Sequence, residues 1–303
     1  MSAWREQTAE RGNLFWLRVL SWIATTLGRG FLRLVCGAVA LFFLISAPDP
    51  RRTSRAYLQR VLGRAVGLPD VWRHFYTFAI VSGDRLLFLA GKSDRFSLSF
   101  SGDEIVRQYA ARGQGCVLLV SHVGSFDAMR IPAAGEDIKV RIVIDKQHNP
   151  AAMQVIESLN PDLARASIDA AVDASQLVLA VAEACSNGDM VGIMADRLAR
   201  DEAALEVEFL GDQVSLPRGP WVLAMVLKVP VILCFAVYEG GNRYQLRFTE
   251  VYDGTPVARR QRQSALTDLA ERYATELEHV VRAYPYNWFN FYDFWQHDTT
   301  LDN

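Results

Sequence analysis

The chain has 303 residues, half of them apolar and 22% charged, with a net charge of −2. That composition suits a folded protein with a substantial core and excludes disorder. Residues 1–64 carry ten arginines against Glu6, Glu10 and Asp49, a balance of +7, while the remainder carries 22 basic and 31 acidic side chains, a balance of −9. A basic, apolar N-terminus on an acidic body points to an anionic membrane surface and away from nucleic acid.

Residues 1–90 read as a helical, membrane-associating region, with aromatics and arginines but no strand pattern. Leu14 to Ile23 has an apolar helical face interrupted by Arg18, and Leu34 to Ala47 is an uncharged run of 14 residues ended by Pro48. A run of that length is shorter than the roughly 20 residues that span a bilayer. Arg51, Arg52, Arg55, Arg60 and Arg64 follow with no acid among them. One or two helices lying in or on the inner leaflet are expected here, peripheral or as a single short anchor; a buried helix pair with a solvated basic face is the alternative. The apolar run starts too far into the chain for a signal-peptide layout.

Residues 91–303 read as an α/β domain. Phe96-Ser-Leu-Ser-Phe alternates at period two, and Asp103 to Arg112 forms a helix stopped by Gly113. Strands are expected over Cys116–Val120, Val140–Ile144, Met190–Met194, Leu205–Phe209, Val231–Val237 and Tyr244–Phe248. Helices are expected over Phe126–Ile131, 150–159, 174–186, from Pro220 to about Lys228, and over 259–283. The alternation implies a mixed, mostly parallel sheet with helices on both faces. Cys36, Cys116, Cys185 and Cys234 lie in apolar or helical patterns without any Cys-x-x-Cys, as expected of reduced core residues in the cytosol, and no metal-ligand cluster of His and Cys is present.

The stretch Cys116 to Asp127 carries the chemistry. His122 follows the strand at the edge where open α/β sheets bind ligands. Gly124-Ser125 then leads to Asp127 at a helix start, where Ser125 fits the N-cap and Asp127 the first turn. On a continuous helix i and i+5 lie about 140° apart, but a strand-turn-helix path brings them together. The expectation is a base, His122, oriented by Asp127. A buried histidine satisfied by a local carboxylate gives the same spacing, and His297 to Asp302 repeats it in a polar tail by coincidence.

Other groups are candidates for binding substrate. Asp196 and Arg197 close a strand that opens on the same edge if it runs parallel to the His122 strand; an ordinary turn ion pair is equally compatible. Arg218, before Gly219-Pro220, adds a cation to free helix amides, which suit a phosphate, although Pro there is also routine punctuation. Lys146 and Asn149 follow a strand in the block Lys-Gln-His-Asn-Pro, where Lys146 suits an anionic head group. Asn287 to Trp295 is densely aromatic and either lines an apolar channel or caps the core. No Gly-x-Ser-x-Gly elbow and no Gly-x-x-x-x-Gly-Lys loop is present.

At these residues the chain resembles the glycerolipid acyltransferase superfamily, and within it the lipid A biosynthesis lauroyl/myristoyl acyltransferases, over roughly residues 10–297. Ser121-His-Val-Gly-Ser-Phe-Asp127 is similar to the family's His-x4-Asp/Glu box, Lys146 to Pro150 to a block ending in Asn-Pro, and Ile193-Met-Ala-Asp196 to a strand ending in a functional Asp. The Pro217–Ala224 helix start and Val229-Pro230-Val231 follow in the family's order. The resemblance implies a glycerol-3-phosphate acyltransferase-like fold at the cytoplasmic face of the inner membrane. It implies acyl transfer from an acyl carrier protein thioester to a hydroxyl of a membrane lipid, with His122 as general base, Asp127 as its partner, and neither cofactor nor metal. A coenzyme A-dependent lysophospholipid acyltransferase and a catalytically idle membrane adaptor binding lipid or acyl carrier protein are the alternatives. Lipid A enzymes commonly carry Arg-Arg after a C-terminal Trp, whereas Trp288 is followed by Phe-Asn-Phe-Tyr-Asp. That end is similar to a branch associated with aryl polyene-type lipids.

Overall fold

Apolar residues recur every fourth position in the first described helix, α1 (Gly28–Ser46): Leu32, Cys36, Ala40 and Leu44 are all buried. This computed structural model describes residues 28–130, 138–147, 149–198 and 202–295. Residues 14–27, His148, His297 and Asp302, and the last residue of the helix expected over Phe126–Ile131, lie outside them. The α1 stripe packs on α3 (Leu68–Leu89), where Gly83 lets the Leu32 side chain approach so closely that a Cβ would stand 2.9 Å from it. Between them α2 (Pro48–Leu62) begins with two prolines in its first turn and ends on Gly63 in the left-handed region.

The remaining elements run β1 (Ser97–Ser101), α4 (Asp103–Ala111), β2 (Val117–Val120), a 3-10 turn (Phe126–Arg130), β3 (Val140–Ile144), α5 (Pro150–Leu159), α6 (Pro161–Ala166), β4 (Ile168–Asp169), α7 (Ala174–Ser186) and β5 (Met190–Met194). A ribbon of β6 (Ala204–Phe209) and β7 (Asp212–Pro217) leads to α8 (Gly219–Leu227), β8 (Val231–Gly240), β9 (Arg243–Tyr252) and α9 (Arg262–Ala283). Seven strands form one sheet in the order β1-β9-β8-β2-β5-β3-β4. Neighbours are parallel except β8 and β9, so β1 and β9 run against the other five.

The central strands are apolar throughout because both faces are covered. Val117 and Leu119 of β2, with Val231, Leu233, Phe235 and Val237 of β8, join a core with α2, α7, α8 and α9. Leu118 and Val120, with Ile232, Cys234 and Ala236, face α3, α4 and the start of α1. The fold is the expected mixed, mostly parallel α/β sheet. Expected and observed elements differ mainly at three short segments that were not anticipated, α6, β4 and β7. In the β6–β7 hairpin both Leu210 and Gly211 hold positive φ, so the turn geometry is there without the usual Asn-Gly. All four cysteines are buried and unpaired.

Candidate active site

Parallel pairing sets Val120 of β2 beside Met194 of β5, so the next residues of both strands emerge together at the carboxyl edge. The Ala195 amide still donates to the Val120 carbonyl at 2.9 Å. One residue on, the Asp196 carboxylate grips His122 twice: Oδ1 accepts from Nδ1 at 2.8 Å and Oδ2 from the His122 backbone amide at 2.8 Å. The Trp288 indole Nε1–H donates to Oδ2 at 3.0 Å. With a carboxylate on Nδ1, that nitrogen holds the proton and the Nε2 lone pair is left available. Nε2 has no hydrogen-bond partner among the described residues. The His122 side chain is 30% exposed and that of Asp196 only 1%. Burial works to raise the Asp196 carboxyl, but the electrostatic pull and hydrogen bonds of His122, together with the Arg197 charge, hold it below the usual carboxylate range.

The turn after His122 is fixed by backbone bonds on both sides. The Gly124 amide donates to the Asn287 carbonyl and the Ser125 amide to the Ala236 carbonyl, each at 2.8 Å, while the Phe289 amide donates to the His122 carbonyl at 2.8 Å. Gly124 has φ +58°, and a Cβ there would lie 1.9 Å from the Ala236 oxygen. Only glycine lets the chain pass this close to β8.

Here the geometry corrects the expected His122–Asp127 pair. Asp127 is buried on the 3-10 turn and forms an ion pair with Arg85 of α3, Nε to Oδ2 2.6 Å, with Arg130 at 3.9 Å from Oδ1. The turn after Gly124 continues as a tight 3-10 segment, and Asp127 meets these arginines while the carboxylate from the neighbouring strand holds the imidazole. Asp196, expected to bind substrate, is instead enclosed beneath the His122 ring. Arg197 donates to the Phe289 carbonyl at 3.0 Å and stacks over Tyr292, 5.3 Å from its centroid. Lys146 and Asn149 follow β3 at the same edge, yet Lys146 Nζ donates to the Ser167 carbonyl at 3.0 Å and Asn149 Nδ2 to the Asp145 carbonyl at 2.9 Å. Arg218 precedes α8 and reaches Gln263 Oε1 at 3.4 Å. The described bonds of Lys146, Asn149 and Arg218 do not involve His122 or Asp196.

Two participants went unread in the sequence. In the sequence the Trp288 indole is one ring of an aromatic cluster, and His74 of α3 lies buried with Ser54 Oγ at 2.9 Å from Nδ1 and the Trp288 carbonyl at 2.8 Å from Nε2. An isolated polar residue inside the apolar face of α3 was the available signal for His74.

The family model for bacterial lipid A biosynthesis acyltransferases matches residues 5–297. The chain belongs to the bacterial lipid A biosynthesis acyltransferase family. This acyltransferase acts on lipid, and the site just described lies within the matched region. No curated protein matches the chain in sequence. On the outside of the acyltransferase, α1 and α3 enclose an open apolar groove of about 950 Å³, lined among others by Arg33, Leu34, Leu41, Trp72 and Tyr76. His122 does not line it. Over Arg29–Ser46 the mean hydropathy is 1.8 and 22% of the window is buried against the protein; Leu34 and Ile45 are each 71% exposed.

Proposed function

We propose that this acyltransferase moves an acyl chain from an acyl carrier protein thioester to a hydroxyl of a membrane lipid, with His122 as general base and Asp196 as the group that orients it. The observation that carries this reading is the imidazole itself: Nδ1 is held by a buried carboxylate, Nε2 is unpartnered among the described residues, and the ring is part-exposed at the strand edge. The lipid hydroxyl gives its proton to Nε2 while its oxygen bonds to the thioester carbonyl carbon. The resulting oxyanion collapses, the carbon–sulfur bond breaks, and the departing thiolate takes the proton back from His122. A base so positioned contributes about 10²–10⁴-fold.

Arg197, next to Asp196 in the chain, is the first substrate-binding candidate; Lys146, Asn149 and Arg218 are further candidates, whose described bonds go to Ser167, Asp145 and Gln263. The exposed apolar face of α1 and the basic balance of residues 1–64 support association with the cytoplasmic face of the inner membrane. The Phe-Asn-Phe-Tyr-Asp stretch after Trp288 supports an acceptor other than a doubly phosphorylated lipid A precursor, in keeping with the aryl polyene-associated branch.

The test is His122→Ala, assayed as thiol release from C12-acyl carrier protein with dispersed bacterial inner-membrane lipid as acceptor. Transfer is expected to vanish while circular dichroism and membrane binding persist; retained transfer overturns the reading. C12-coenzyme A as a parallel donor separates the two thioesters, and faster transfer from it would overturn the carrier-protein assignment.

A further inference from the structure

We propose that Trp288 is a positioning residue for the reaction, its indole N–H fixing the carboxylate that orients the base; this rests on the reading of His122 and Asp196 above. The Asp196 oxygens are unequally loaded. Oδ1 takes the His122 ring, whereas Oδ2 takes the His122 backbone amide and the Trp288 indole. Both His122 contacts belong to the base being positioned. The indole is the contact that comes from elsewhere in the fold. An Asp carboxylate turns readily about its last torsion, and an independent donor on Oδ2 stops that turn with Oδ1 aimed at Nδ1.

The indole is itself immobilised. Trp288 is 1% exposed. Its ring meets Tyr57, Phe209 and Phe294 edge-on, at centroid distances of 5.0, 5.2 and 5.0 Å. Its carbonyl takes the His74 ring hydrogen bond, and its backbone bridges Val123 in the turn after the base. These restraints come from α2, α3, β6, the turn after β2 and the C-terminal segment, so the direction of one N–H is set from several sides. A ring present only to fill space would not require its single polar atom to meet the carboxylate that holds the His122 ring. By analogy with outer-shell groups that orient metal ligands, where removal costs about 10–100-fold, a loss near the lower end of that range is expected here.

The experiment compares the full chain with Trp288→Phe, Asp196→Asn and the double variant, using the C12-acyl carrier protein assay. Trp288→Phe should lower kcat about tenfold and change KM less than about twofold. In the Asp196→Asn background the same substitution should cost less than about twofold, because its route to the base is already broken. Should Trp288→Phe fail to fold by circular dichroism, Trp288→benzothienylalanine keeps the bicyclic shape and lacks the N–H; it should show the same loss of kcat. Equal fractional losses in both backgrounds, or wild-type kcat with benzothienylalanine, would overturn the proposal. If His122→Ala is inactive while those results appear, the base assignment stands and the role of Trp288 alone is lost.

Discussion

His74 and Trp288 share a buried hydrogen bond, ring Nε2 to backbone oxygen at 2.8 Å, that ties α3 to the segment behind the strand edge carrying His122. A carbonyl cannot donate, so Nε2 carries the proton and Nδ1 accepts from the Ser54 hydroxyl at 2.9 Å. That is the arrangement of the neutral ring, which burial favours at neutral pH. Burial drives its pKa down to about 4 from 6.5, against the pull of the Trp288 carbonyl.

A stability consequence has a definite sign. The unfolded chain binds a proton at His74 through the ordinary range while the folded chain does not, so stability falls with acidification between about pH 6.5 and 4 and the loss is complete below the folded value. Between pH 7 and 5 this one group should remove about 2 kcal/mol. Urea unfolding at both pH values measures it, and His74→Gln should have a flatter dependence over that interval by about that amount. Equal slopes would mean that His74 titrates normally.

The two carboxylates expected to act near His122 should separate cleanly in kinetics. Asp196→Asn leaves an amide facing Nδ1 and favours the wrong imidazole tautomer, so kcat should drop about 10³–10⁴-fold with KM little changed. Asp127→Asn, which touches Arg85 and Arg130 instead, should stay within about tenfold. Steady-state rates of both variants decide the point, and a larger loss at Asp127 would return it to the role of orienting partner.

Much of this site was legible along the chain because β2 and β5 are short apolar runs ending in polar turns, and their parallel direction follows from the alternation with helices. On that ground His122, Asp196 and Arg197 share one edge if the two strands run parallel, and β2 and β5 do. The pairing was not legible. Spacing detects partners within a few residues, whereas the His122–Asp196 bond joins neighbouring strands whose register no local pattern reveals. Trp288 was hidden for the same reason, since an aromatic-rich tail looks alike whether its indole caps a core or holds a carboxylate. In the ribbon, β7 escaped because its hairpin turns on Leu210, a residue that ordinarily avoids positive φ.

Gly124→Ala tests how tightly the turn controls the base. The added methyl would stand 1.9 Å from the Ala236 carbonyl at a φ of +58°, so the backbone must move. His122 lies two residues away and would move with it. Misplacement of a base by about 1 Å costs roughly 10²-fold, and kcat should fall by that order with helix content unchanged by circular dichroism. Activity within about twofold of wild type would show that the turn accommodates a side chain.

The outer face of α1 carries the last prediction. Leu34, Phe42 and Ile45 are 71, 64 and 71% exposed on one helix, an arrangement that water penalises by about 25 cal/mol per Å² of apolar surface. The helix is 19 residues long, about 28 Å at 1.5 Å per residue, and Arg29 anchors its start through the buried Asp84 of α3, which also accepts from Tyr244 at 2.8 Å. Because that anchor faces the protein, the apolar side chains can be exchanged without disturbing it. Replacing Leu34, Phe42 and Ile45 together by Ser should weaken flotation with anionic phospholipid vesicles at least tenfold, each side chain contributing on the order of 1–2 kcal/mol of lost apolar contact. Thermal unfolding should change little, since none of the three is in the core. Undiminished flotation would place the membrane contact elsewhere on the molecule.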